Sequence, residues 1–310
     1  MERRTQLTND YVAEALRHLA AFLGGPGKRV RPLFCWAGWR TVRDTMDPRL
    51  LDVAVGLELF HAYVLIHDDV IDRSDTRRDR PTLHRAVGEP DEWTATSAAI
   101  LLGDMCEAWS AELLGTAGEA AGEHLHRMRE EVLVGQLLDL RGTEPPLRVI
   151  HYKTTQYTVH RPLRMGAAMA GASPDVQEAC RAYAEPLGEA FQLLDDLEDV
   201  MPGGPNPPAP AGDLREGKST VVLGMALDFA TAAQRDELLN LVRDRDLDDA
   251  GLRRAQRLIA TTGAIDEVRR MIVHRRRLAL AVLDDAPFQP AGAATLRALT
   301  DLALPGVRAW

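Results

Sequence analysis

The sequence is short of several things that other function classes need. Aromatic residues make up 5% of its 310 residues. Alanine and leucine carry most of the apolar content instead, and both favour helices. No stretch shows the apolar/polar alternation of a half-buried strand. The three cysteines, Cys35, Cys106 and Cys180, are odd in number and widely spaced. That argues against a disulfide framework or a thiolate metal site and for buried thiols. The opening MERRTQLTND has no apolar signal core, and no apolar run reads as long enough to span a membrane. A cytoplasmic protein without a membrane span is the resulting expectation. Positive charge is in deficit, with a net charge of −9, which disfavours general nucleic-acid binding. The length allows two average domains or one large one with a sizeable core.

What the sequence does have is concentrated carboxylate. In HAYVLIHDDVIDRSDTRRDR, residues 61–80, Asp68, Asp69 and Asp72 are followed by Arg77 and Arg78. The preceding residues Val53, Leu57, Phe60, Val64 and Leu65 have a helical period. On a continuing helix Asp68 and Asp72 share a face, and Asp69 lies one step round. Carboxylates at a helix C-terminus repel each other and the macrodipole, so a cation is expected beside them. Mg2+ takes carboxylate oxygens together with substrate phosphates, and guanidinium groups match the same phosphates. Alone, the motif reads equally well as a solvated acidic helix end. A second copy changes the balance: FQLLDDLEDV carries Asp195, Asp196 and Asp199 at the same spacing. Two such helices facing each other would make a six-carboxylate cleft.

The paired DDxxD motifs, GKRVRP at 27–32, RR at 77–78 and GDLREGK at 212–218 resemble the trans-isoprenyl diphosphate synthases, or polyprenyl synthetases. The wording is most similar to bacterial geranylgeranyl diphosphate synthases. The resemblance runs from about Gly24 to Lys218. It implies an all-α fold, a single-domain helical bundle around a central cavity (the isoprenoid synthase fold), with residues 1–310 as one domain. It implies Mg2+, three ions per active site, held by Asp68, Asp69, Asp72, Asp195, Asp196 and Asp199. Lys28, Arg31, His61 and Arg78 would bind isopentenyl diphosphate. Arg77, Lys153 and Lys218 would bind the allylic diphosphate. Lys153, Thr154, Gln192 and Lys218 would serve catalysis, with Gln136, Asp139 and Asp213 nearby. A homodimer is the family expectation.

Other segments give local expectations. An amphipathic helix over about 9–23 ends at Gly24-Gly25-Pro26-Gly27. Pro162 should kink or break its helix and free carbonyls near Thr158, and Pro186 should kink another. Gly166, Ala167, Ala168 and Ala170 permit close helix packing. Ser173-Pro174-Asp175 reads as a helix start. Residues 201–218 are too rich in proline and glycine for a helix. Val268, Ile272, Leu278 and Val282 suggest one long helix whose Arg275–Arg277 run is a solvated face.

Two departures from the family pattern stand out. No lysine falls between Asp199 and Lys218, where PGGPNPPAP replaces a lysine-bearing turn, and Asp79 stands where RRGxP has glycine. Product length is read from Tyr63 and Val64, five and four residues before Asp68. An aromatic at the first position only, with no insertion in HDDVID, resembles a twenty-carbon synthase. Geranylgeranyl diphosphate is the expected main product and farnesyl diphosphate the runner-up. A class I terpene cyclase and a catalytically inactive regulatory subunit are the rival readings. Lys28, Arg31, His61 and Arg78 speak against the cyclase, which needs no second diphosphate site.

Overall fold

The structure is a computed structural model that describes residues 9–78, 80–88, 91–201, 212–244 and 247–310. Helices dominate, as the composition predicts. Among the described residues the only strands form a two-residue ribbon, Thr76–Arg77 (β1) against Arg80–Pro81 (β2). Strands this short leave no alternation to read in the sequence. The chain divides into two compact units, Met1–Pro32 with Asp47–Ala117, and Leu33–Met46 with Gly118–Trp310.

In the first unit α1 (Asp10–Leu23) begins at Asn9, whose side chain accepts the Val12 N–H, and stops at Gly24. This is the amphipathic helix expected there. The helix α2 (Val30–Arg40) starts in this unit and continues into the second. The carboxylates end α3 (Arg49–Ile71), where Asp72 is the cap residue. After the ribbon come α4 (Leu83–Ala86) and α5 (Glu92–Leu114). Glycines let α3 and α5 approach closely. A Cβ on Gly56 would lie 2.8 Å from the Leu114 side chain, and one on Gly103 2.5 Å from the His67 ring.

One expectation is corrected here. By length and composition α3 is long and apolar enough to cross a membrane. The reason lies in its position. Leu50, Val53, Leu57, Phe60 and Ile66 are buried in the unit's own core, while Leu51, Val55 and Ile71 on the same helix stay exposed.

The second unit contains α6 (Glu119–Arg141), α7 (Pro146–Ile150), a π-helical segment (His151–His160), α8 (Arg161–Met169) and α9 (Pro174–Val200). It continues with α10 (Gly212–Glu216), α11 (Val221–Phe229), α12 (Ala232–Arg243), α13 (Asp249–Thr262), α14 (Ala264–Asp285) and α15 (Pro290–Ala303). Helices α2 and α8 cross at van der Waals contact through paired glycines. A Cβ on Gly38 would fall 1.9 Å from the Leu163 carbonyl oxygen, and one on Gly166 1.8 Å from that of Cys35. Gly166 is one of the small residues that the sequence marked for close packing.

Three local expectations change. Pro162 causes no break: the backbone runs in π register from His151 to His160, then returns to α with Pro162 in the first turn of α8. Helix α9 starts at Ser173, as expected, and contains Pro186 within its helical run. The span 201–218 includes the short helix α10. The Arg275–Arg277 run is not simply solvated. Arg275 pairs with Glu189 at 2.5 Å and Arg276 with Asp301 at 2.9 Å, and only Arg277 is exposed. The three cysteines are free and buried, as expected.

Candidate active site

The first unit brings together one acidic and one basic group of side chains. At the end of α3, Asp69 is 1% exposed and accepts a 2.7 Å hydrogen bond at Oδ1 from Arg77 Nε. Arg77 also lies 3.5 Å from Asp68. Burial lifts the Asp69 carboxyl to about 6, against the pull of the Arg77 guanidinium. Its Oδ2 is buried and has no hydrogen-bond partner among the described residues. An acceptor left in that state is costly, and a cation would satisfy it. Arg77, placed on β1 by the ribbon, supplies part of the positive charge beside this end of α3.

The basic group surrounds a cavity of about 220 Å³ lined by residues of α1, the loop after it, α3 and the ribbon. Arg29, Arg77, Arg78 and Arg80 reach it, with His61 and Glu58 from α3. His61 and Arg78 are there as expected. Lys28 and Arg31 are not in the lining: Lys28 is exposed, and Arg31 is buried on the first turn of α2. Burial, and then the charges of Arg31, Arg78, Arg77 and Arg29, push the His61 pKa well below the usual imidazole value. Burial and these charges favour the neutral form of the ring. Arg78 donates to the Pro26 carbonyl. Arg29 and Arg78 both have left-handed backbone, at φ 48° and 52°. Such values are uncommon outside glycine and carry strain. Asp79 lies outside the described residues.

The second unit assembles the remaining candidates. Lys153, in the π-helical segment, donates to Asp139 of α6 at 2.6 Å. Gly135 makes this contact possible, since a Cβ there would meet the Lys153 backbone nitrogen at 2.4 Å. Thr154 Oγ1 donates to Gln192 Oε1, and Gln192 Nε2 donates to Asp196 Oδ1, both at 2.7 Å. One hydrogen-bond chain thus joins two expected catalytic residues to an expected metal ligand. Asp196 is buried, and burial followed by the nearby charge of Asp213 drives its pKa well above the ordinary range. Burial and Asp213 likewise raise Asp199 to about 7, although it accepts the backbone N–H groups of Gly212 and Asp213 at 3.2 and 3.1 Å. Lys218 lies 2.7 Å from Glu216 and 3.7 Å from Asp213. The PGGPNPPAP stretch, residues 202–210, lies outside the described residues.

No group of three or more metal-ligating side chains converges into a ready-made cage among the described residues. The donor set nonetheless suits Mg2+, which takes one or two carboxylates and completes its shell with water and substrate phosphate.

The sequence model of the Polyprenyl synthetase family matches residues 10–259. The chain belongs to this family. A short chain isoprenyl diphosphate synthase of Methanocaldococcus jannaschii is 31% identical over 259 residues, 80% of this chain and 76% of the relative. The octaprenyl diphosphate synthase of Escherichia coli is 30% identical over 74% of this chain and 71% of its own length. Among solved structures, the geranylgeranyl pyrophosphate synthase of Corynebacterium glutamicum, complexed with isoprenyl diphosphate and magnesium, is 36% identical. It superposes with a TM-score of 0.86, covering 95% of this chain and 91% of that one. The all-α fold is that of the isoprenoid synthases, and this polyprenyl synthetase is a trans-prenyltransferase.

Reading the sequence of this polyprenyl synthetase marks Arg29 only as one of the loop cations of GKRVRP and misses Arg80 and Glu58 as cavity residues. Arg29, with left-handed backbone, reaches the cavity. Glu58 sits one helical turn before His61, a spacing the sequence does show.

Proposed function

We propose that this prenyltransferase condenses isopentenyl diphosphate with an allylic diphosphate, with geranylgeranyl diphosphate as its main product. The observation that supports the two-substrate reading is the arginine-lined cavity, a basic site on an acidic chain that adjoins the Asp68–Asp69 carboxylates through Arg77. Isopentenyl diphosphate belongs to this group, with Arg78 and neutral His61 as donors. Lys28 and Arg31 add charge from the adjoining loop and helix.

The allylic diphosphate belongs to Arg77, Lys153 and Lys218, and Asp68, Asp69, Asp72, Asp195, Asp196 and Asp199 are the residues that hold Mg2+. When bound, Mg2+ supplies Lewis-acid neutralisation of diphosphate charge and a template for its oxygens. The cationic side chains stabilise the leaving diphosphate as the allylic carbon–oxygen bond breaks. The alkene of isopentenyl diphosphate then attacks the allylic cation, a carbon–carbon bond forms, and loss of a proton restores a double bond. The departing diphosphate is the base in this reading. Thr154, Gln192 and Asp196 form a fixed chain that orients one carboxylate. The count of three ions, a homodimer and a cytoplasmic location belong to the same reading on family grounds.

Arg77 and Arg78 separate the two substrates. Arg77→Ala is expected to weaken the allylic substrate and lower kcat, and Arg78→Ala to raise KM for isopentenyl diphosphate. Steady-state kinetics with one substrate varied at a time checks this, and identical effects on both substrates would argue against separate roles.

Product length rests on Tyr63. It lies about one turn before Asp68 on α3, with its ring 5.6 Å from Phe60 and edge-on to His67 at 4.7 Å. A chain growing along α3 away from the carboxylates meets this stack. Tyr63→Ala removes a ring comparable to one five-carbon unit and is expected to yield longer products, read by mass spectrometry. Tyr63 is only half-buried. The stability cost therefore stays below the ~3–5 kcal/mol of a fully buried aromatic. An unchanged product distribution from the folded variant would place the floor elsewhere.

A further inference from the structure

Arg29 lines the basic cavity, yet its guanidinium is already engaged. Nη1 donates to Glu58 Oε2 at 2.5 Å, and Nη2 donates to the carbonyls of Leu23 and Gly25 at 2.9 and 2.8 Å. Leu23 is the last residue of α1, so one arm neutralises the negative end of that helix. The same arm pins Gly25 in the glycine loop, and the other arm ties the loop to α3. Glu58 is one helical turn before His61, so its grip sets the loop's position relative to a proposed diphosphate donor. From the other side Arg78 donates to Pro26, and its guanidinium would lie 3.0 Å from a Cβ on Gly27. The loop is therefore held between Arg29 and Arg78.

Two further observations indicate a constraint. Arg29 adopts φ 48°, which costs free energy for a side-chain-bearing residue and persists only where the surroundings impose it. Glu58 Oε1 is buried without a hydrogen-bond partner among the described residues. A carboxylate oxygen left in that state is unfavourable unless the pairing of its other oxygen matters.

We infer that Arg29 and Glu58 are positioning residues, a brace that fixes the glycine loop against His61 and Arg78 so that the cavity accepts the diphosphate of the non-allylic substrate. In this arrangement Glu58 also repels the anion from the α1 side and directs it toward Arg78. The inference rests on the proposed function of this cavity.

Glu58→Gln distinguishes the brace from a direct ligand, because the two assign opposite signs. If Arg29 bound diphosphate itself, removing its carboxylate partner would free the guanidinium and lower KM for isopentenyl diphosphate. A brace weakened by the same change raises that KM, by about tenfold, the scale of one lost charge-assisted hydrogen bond. The KM for the allylic substrate and kcat should stay within twofold. Arg29→Lys, which keeps the charge but loses the fork, should give the same rise. The double variant should be no worse than either single one, because all three remove one device. Calorimetric binding of isopentenyl diphosphate to the chelator-treated protein gives a readout independent of turnover. If Glu58→Gln does not fold, Glu58→Asp replaces it with the same expected direction. An unchanged or lowered KM, or additive losses in the double variant, would overturn the brace. A wild-type protein that neither binds isopentenyl diphosphate nor extends an allylic one would overturn the reading of the site instead.

Discussion

Asp68→Ala and Asp195→Ala are each expected to lower turnover by about a thousandfold or more, a loss of roughly 4 kcal/mol of transition-state stabilisation at about 1.4 kcal/mol per decade. Each removes one carboxylate from a DDxxD motif. Asp68 also lies 3.5 Å from Arg77, so its loss removes one of the carboxylates beside that guanidinium. The loss should fall mainly in kcat, because the carboxylates are assigned to holding charge that neutralises the departing diphosphate. Excess Mg2+ should not restore it. Single-turnover measurements at saturating substrate check this directly. Near-normal turnover in either variant, or wild-type activity indifferent to chelator, would remove the metal assignment. Asp69→Ala is the less clean experiment, since it strips Arg77 of its 2.7 Å partner inside a buried site as well.

The largest stability effect is expected where α2 and α8 cross. Gly38→Ala puts a methyl group 1.9 Å from the Leu163 carbonyl oxygen, and Gly166→Ala puts one 1.8 Å from that of Cys35. In both cases the obstacle is helix backbone, which no rotamer change can move aside. The helices must separate, opening the packing of Phe34, Cys35, Leu163 and Met165, all buried. The cost is expected at or above the upper end of the ~1–3 kcal/mol typical of overpacked cores. A fall in the denaturant midpoint, or loss of soluble protein, measures it. Gly122→Ala and Gly224→Ala serve as controls: each lies in a helix and has nothing within 4 Å of the added methyl, so either should be neutral or stabilising. Equal losses at all four positions would show that the crossing is not special.

These cases show what was legible in the residues and what was not. The Asp68–Asp69–Asp72 end of α3 could be read because carboxylate spacing on a helix is a local property. So could the caps at Asn9 and Ser173, where a side chain meets a backbone N–H three residues on. The Lys153–Asp139 contact was readable only as two residues of separate interest. Their meeting depends on Gly135 admitting the π-helical backbone, a tertiary event. The π register itself was masked by Pro162, whose usual effect is a kink. The basic cavity was half-read for a similar reason: charge in GKRVRP is visible, whereas the left-handed turn at Arg29 is not. Arg275 and Arg276 looked like a solvated run because Glu189 and Asp301, their partners, are distant in sequence.

The buried thiols have a bearing on redox chemistry. Burial pushes Cys35, Cys106 and Cys180 up to about 12, so almost none of any of them is thiolate at neutral pH. Peroxide, disulfides and alkylating reagents all act through the thiolate. The native enzyme is thus insulated from oxidative inactivation at sulfur of cysteine, and its reactivity toward such reagents becomes a clock for unfolding. A single cysteine introduced on an exposed helix face would, by the same logic, be the one position a thiol-directed label could find in the folded protein.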